Sequence, residues 1–198
     1  MASSTVVLGP PGGIAAVLAT ALGAPIAAVG NPLPANVTGV VVVAEPPANQ
    51  AEVGTLSGED WLRLVDAPMW RTLTALQHAH TGLADGGRIV AVVPTIGMSG
   101  AAGLVGYTTA LEGIRAMAKS AARQWAPDGI RVNLVALPLS AFTGQQVAAA
   151  GHLTVAAVPD DSNLLHTAAE SVRFLLRPDI EHLAGETIVA DGGSVMLP

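Results

Sequence analysis

The chain contains no cysteine, which excludes disulfides and thiolate zinc sites. Charge is also scarce: Asp, Glu, Lys and Arg together make up 12% of 198 residues, about half the share usual in a soluble domain. The nine basic residues are scattered and the formal net charge is −6, so nothing supports a nucleic-acid partner. Long hydrophobic runs are missing. "VTGVVVVA" (37–44) and "GRIVAVVP" (87–94) fall far short of the ~18 residues a spanning helix needs, so no membrane partner is expected. The opening "MASSTVVLGPP" has no basic residue ahead of its apolar run, which argues against a secretory signal and makes the cytoplasm the default. Lysine and tyrosine occur once each, as Lys119 and Tyr107.

What is present is apolar: 51% of residues are hydrophobic. So little charge cannot clothe a monomer of this size, and the balance points to surface buried in an oligomer. Strand-like runs alternate with helical ones. "STVVLG" (4–9) leads through "PPGG" into an Ala/Leu helix ending near Gly23, and "APIAAVG" (24–30) reads as a second strand. "VTGVVVVAE" (37–45), "RIVAVV" (88–93) and "IRVNLVAL" (130–137) are apolar without alternation, as strands buried on both faces are. Helices are expected over about 59–82, 107–125 and 166–176, with a glycine-rich loop at 97–106 and a last strand within 185–193. This pattern predicts an α/β fold, a Rossmann-like doubly wound parallel sheet of six strands, in one domain spanning 1–198. His78 and His80 are two apart and cannot share a helix face, so no metal site is expected.

The segments "MAKSAARQWAPDGIRVNLVA" (117–136), "GGRIVAVV" (86–93) and "LAGETIVADGG" (183–193) resemble, in order and spacing, the short-chain dehydrogenase/reductase family and its ketoacyl-reductase-like branch. The resemblance implies NAD(P) as cofactor and a catalytic Tyr, Lys, Ser and Asn. Tyr107 falls on the tyrosine, and the "KS" pair beginning twelve residues later in the same helix fixes the register. The lysine position is then Leu111, the serine position Pro94 (Thr95 is adjacent), and the asparagine position falls near Pro68. A free phenol has a pKa of ~10, and the family's lysine one turn away stabilises its phenolate; leucine does not. Lys119 lies about 18 Å along the helix and Arg115 about 12 Å along and rotated, so neither substitutes.

The family's glycine turn appears as "GPPGGIA" (9–15), with Gly9 and Gly13 at its spacing and Pro10 and Pro11 each removing an amide donor. Residues 30–37 stand where the family has a helix, its third strand and another helix; about eight extended residues reach ~27 Å, enough for a bare crossing.

Together these losses imply a catalytically degenerate subunit that has lost NAD(P) binding, with Tyr107 a remnant and Gly9 and Gly13 vestigial. In the family, helices equivalent to about 59–82 and 103–125 pair across a dimer axis. The expected role is therefore structural or regulatory, as a homo-oligomer or a hetero-oligomer with an intact paralogue. The alternatives are a residual NAD(P)H-dependent ketoacyl-type reductase, or a cofactor-independent enzyme using Tyr107 as an acid.

Overall fold

A computed structural model describes residues 4–47, 49–143 and 156–196. Six parallel strands form one sheet: β1 (Ser4–Leu8), β2 (Ile26–Ala27), β3 (Val37–Val43), β4 (Leu83–Pro94), β5 (Arg131–Leu137) and β6 (Thr187–Val189). Their spatial order is β2-β1-β3-β4-β5-β6. The direction reverses between β1 and β3, which makes the carboxyl ends of those two strands the topological switch point, where crevices open in such sheets.

Helices cover both faces. On one, α1 (Gly13–Leu22) and α7 (Leu164–Leu175) bury Ile14, Leu18, Val172 and Leu175 against Val7, Val41 and Val43. On the other, α3 (Ala67–Gly82) and α5 (Val105–Trp125) bury Leu76, Leu111 and Ile114 against Val6, Val40 and Val42. Alternate residues of β3 thus enter opposite cores, which is why its sequence is apolar throughout. In α5 the buried stripe Tyr107, Leu111, Ile114 and Ala118 follows helical spacing. Short helices α2 (Gly58–Trp61), α4 (Ile96–Ser99) and α6 (Ser140–Thr143) complete the set.

Several expected boundaries shift. β2 pairs through only two residues, Ile26 with Val7 and Ala27 with Leu8. The glycine-rich stretch is not all loop, because Ile96–Ser99 makes one helical turn and α5 begins at Val105. The expected helix over 59–82 is broken by a wide π turn at Leu62–Asp66, followed by Pro68 in the first turn of α3. Proline has no N–H and clashes with the carbonyl four residues back, and a wider turn relieves both. Arg88, within β4, is buried and donates to the carbonyls of Gly86, Gly87, Gly129, Arg177 and Pro178, which ties the early part of that strand to two loops.

The crossing from β2 to β3 is as short as expected. It turns at Asn36 in the left-handed region (φ 61°), which asparagine tolerates. Leu33 packs on Gly82, where a Cβ would lie 2.5 Å from its Cδ1, and the Gly30 amide donates to His78 Nδ1 at 3.4 Å. The connector is therefore held against the C-terminal half of α3, and among the described residues no helix covers the sheet beside the N-terminal half.

Candidate active site

At the carboxyl ends of β1 and β3 lies a cavity of about 720 Å³, bordered by Gly9, Pro10, Glu45, Pro46, Arg71 and Tyr107 among others. α5 brings Tyr107 there because its hydrophobic stripe faces the sheet. The ring is 5% exposed, and its hydroxyl donates to the Glu45 carbonyl at 2.7 Å. Burial, and secondarily the negative Glu45, push the phenol far above its ordinary pKa. Tyr107 is a neutral, proton-bearing group at any physiological pH.

The other positions fall as follows. Leu111, one turn along, is 1% exposed and lines the same cavity beside the ring, so the lysine position is filled by core. Pro94 ends β4, paired with Leu137, and buried Thr95 follows it; neither is among the residues lining the cavity. Pro68 does line it but offers no donor. Lys119 is exposed, and its side chain passes close to Gly185. Arg115 pairs with Glu112 at 2.9 Å. The carboxylate of Asp191 accepts the amides of Gly193, Ser194 and Val195, the work of a turn residue. His80 stacks on Trp125 with centroids 4.5 Å apart, and no cluster that could hold a metal occurs among the described residues.

Sequence reasoning gives no role to Glu45 and Arg71, whose side chains meet at 2.8 Å across the cavity mouth. Glu45 thereby links both features, through its carbonyl to Tyr107 and through its carboxylate to Arg71. The available signal was Arg71 itself, the lone charge in the otherwise uncharged "APMWRTLTAL" (67–76).

The glycine turn is built for close approach. A Cβ on Gly9 would stand 3.0 Å from that of Val43, and Gly13 has φ 56°. Gly12 donates to the Pro10 carbonyl at 2.8 Å, and α1 starts with no side-chain cap. The free amides of its first turn therefore face a smaller hollow lined by Pro10, Gly12, Gly13, Ile14 and Pro46. Pro10 and Pro11 cost donors in the turn but none in the helix. A pyrophosphate fits this arrangement.

Comparisons with known proteins agree with the topology. The family described as Enoyl-(Acyl carrier protein) reductase matches residues 36–195. A cis-4-hydroxycyclohexanecarboxylate dehydrogenase from Sinomonas cyclohexanicum is 31% identical over 76% of this chain and 61% of its own length. A 3-oxoacyl-[acyl-carrier-protein] reductase from Vibrio cholerae is 30% identical over 56% of this chain and 47% of its own. This chain thus spans about half to three-fifths of the curated relatives it matches. Among solved structures, a small-chain dehydrogenase in complex with NADPH superposes with a TM-score of 0.75 at 22% identity, covering 97% of this chain and 98% of that one. The expectation that no cofactor is involved is corrected by these findings: the chain matches a reductase family, and a protein with the same fold and nearly the same length holds NADPH. Pro10 and Pro11 remove donors from the turn and none from the first turn of α1, so loss of the cofactor does not follow from them.

Proposed function

Since the chain belongs to the short-chain dehydrogenase/reductase family, we propose that it is an NAD(P)H-dependent reductase of carbonyl compounds in which neutral Tyr107 is the acid. The observation that carries this reading is that one cavity at the switch point is bordered both by Gly9 and Pro10 of the glycine turn and by Tyr107. The first-turn amides of α1 would hold the pyrophosphate, and Gly9 lets the backbone come close to it. The bound dinucleotide supplies the hydride.

The protein's own contribution follows from Tyr107. Its hydroxyl exchanges the Glu45 carbonyl for the substrate's carbonyl oxygen and gives up its proton as that oxygen gains charge; solvent then restores the proton. With Leu111 where an amine would sit, nothing on that turn stabilises the phenolate, so turnover is slow. The same absence sets direction. Reduction needs the phenol, which is present; oxidation of an alcohol needs the phenolate, which is not. The family match and the similarity to an NADPH-bound fold favour this over an inert subunit.

Self-association is part of the proposal. Leu62, Trp61 and Trp70 are 62%, 42% and 68% exposed, and a groove of about 520 Å³ runs between Leu62, Met69, Trp70, Leu73 and Met117. A second copy, docking its own α3 and α5, would cover this apolar face.

The test is thermal unfolding with NADPH and with NADH, and native mass on the same sample. A ligand at a hundred times its Kd adds about 2.7 kcal/mol, a readily visible shift. No shift with either nucleotide at millimolar concentration ends the reductase reading. Trp70→Glu is expected to convert an oligomer to monomer; a wild-type monomer ends the interface reading.

A further inference from the structure

The cavity extends well beyond what Tyr107 and the glycine turn need. It continues down the α3 side of the sheet as a trough. Leu8, Val42 and Ala44 form its floor, Ala28 and Val29 one wall, and Trp70, Thr74 and Ala75 the other. Its origin is the short crossing. The connector is pinned low, by Leu33 on Gly82 and Gly30 on His78, so no described residue of the connector covers the sheet higher up.

The chemistry of the lining is one-sided. Its only charged side chains among the described residues are Glu45 and Arg71, and these are paired with each other at the mouth. The Thr74 hydroxyl donates to the Trp70 carbonyl within its own helix at 2.9 Å. Among the described lining residues no unpaired charge remains to receive an ion, and an ionic group moved into such a space loses hydration without a partner. The whole cavity, its glycine-turn end included, is about 720 Å³, within the range of small-molecule sites.

We propose that the trough is a binding site for an uncharged, predominantly hydrocarbon ligand. Resting on the reductase reading above, that ligand is the substrate: a neutral carbonyl compound with a bulky apolar body in the trough and its carbonyl at the Tyr107 end. Hydride goes to the carbonyl carbon from NAD(P)H and the proton to its oxygen from Tyr107, giving a neutral alcohol.

Two fluorescent probes with the same rings separate the possibilities. N-phenyl-1-naphthylamine is uncharged, whereas 8-anilinonaphthalene-1-sulfonate carries a sulfonate. The full chain is expected to bind one equivalent of the neutral probe, about tenfold or more tighter than the anionic one. Val29→Glu and Thr74→Arg place a charge on opposite walls at positions that are not fully buried, and each is expected to weaken the neutral probe about tenfold. Their thermal unfolding reports that the fold persists. Equal affinity for both probes overturns the proposal. So does loss of binding in Leu62→Glu but not in Val29→Glu, which puts the probe in the outer groove. Stoichiometric displacement by NADPH also overturns it, since the trough would then be dinucleotide space. Neutral-probe binding that responds to Val29→Glu in a chain that binds no NADPH supports the trough and defeats only the reductase reading.

Discussion

Replacing Leu111 by lysine returns the amine that the family register calls for, and the structure says what that costs. Leu111 is 1% exposed, and a Cβ built on Gly97 would lie 2.8 Å from its own, so the backbone of α4 walls it in. A lysine there keeps most of the methylene packing, and the charge decides the outcome. If the folded state holds the amine neutral at pH 7, deprotonating a group whose unfolded pKa is ~10.4 costs about 4–5 kcal/mol, at 1.36 kcal/mol per unit. That approaches the whole stability of a marginal domain, roughly 5–15 kcal/mol. The sign follows from linkage. The folded pKa is depressed, so the penalty is full at low pH and shrinks as pH climbs toward the unfolded value. Urea titrations of wild type and Leu111→Lys at pH 7 and pH 10 should give a difference of about 4–5 kcal/mol at the first and below about 1 kcal/mol at the second. The same loss at both pH values would mean that packing, not charge, sets the cost. No loss at either would mean that the amine reaches water through the trough, and that Leu111 is not part of a dry core.

Tyr107 titrates in the opposite sense. Its folded pKa is raised above the unfolded value of ~10, so its contribution is complete below pH 10 and is lost as pH rises further. Wild type should therefore lose stability above pH 10 faster than Tyr107→Phe. At pH 7 the variant should be about 1–2 kcal/mol less stable, because the Glu45 carbonyl loses its donor; chemical denaturation across that range checks both. Any alcohol oxidation should rise with pH without a plateau up to pH 10, while reduction stays flat, and a plateau near neutrality in initial rates would contradict the phenol's assignment. Arg88→Met should cost about 2–4 kcal/mol by stranding carbonyls of two loops, and a neutral result by calorimetry would show that water replaces the guanidinium.

Much of this was legible in the residues. The apolar runs of β3, β4 and β5 named a parallel sheet buried on both faces, and the brevity of 30–37 named the missing strand unit. Local signals failed where tertiary contacts decide. Two residues of β2 are defined by their pairing with Val7 and Leu8, not by any pattern of their own. Arg88 opens the run "RIVAVV" with no signal of its partners, yet carbonyls of loops from distant parts of the chain accept from it. In the site, Tyr107, Leu111 and Pro68 were found by register, and the structure gathers all three at one cavity. The Glu45–Arg71 pair and the trough depend on which face α3 presents, which spacing alone does not say. Counting amides in the turn alone overlooks those in the first turn of α1, so loss of the cofactor does not follow from Pro10 and Pro11.

The abbreviated crossing also bears on how the chain folds. β1 must find both β2 and β3, and Val7 pairs with Ile26 on one side and Val41 on the other, all within the first quarter of the sequence. Closing a loop costs more as it lengthens, roughly 0.6 kcal/mol per doubling, and pairings distant in sequence slow folding. Removing a helix, strand and helix from this span makes the N-terminal three-stranded edge a local structure. That places the switch-point crevice among the earliest parts of the sheet able to form, ahead of β6, whose partner β5 lies across the whole of α7.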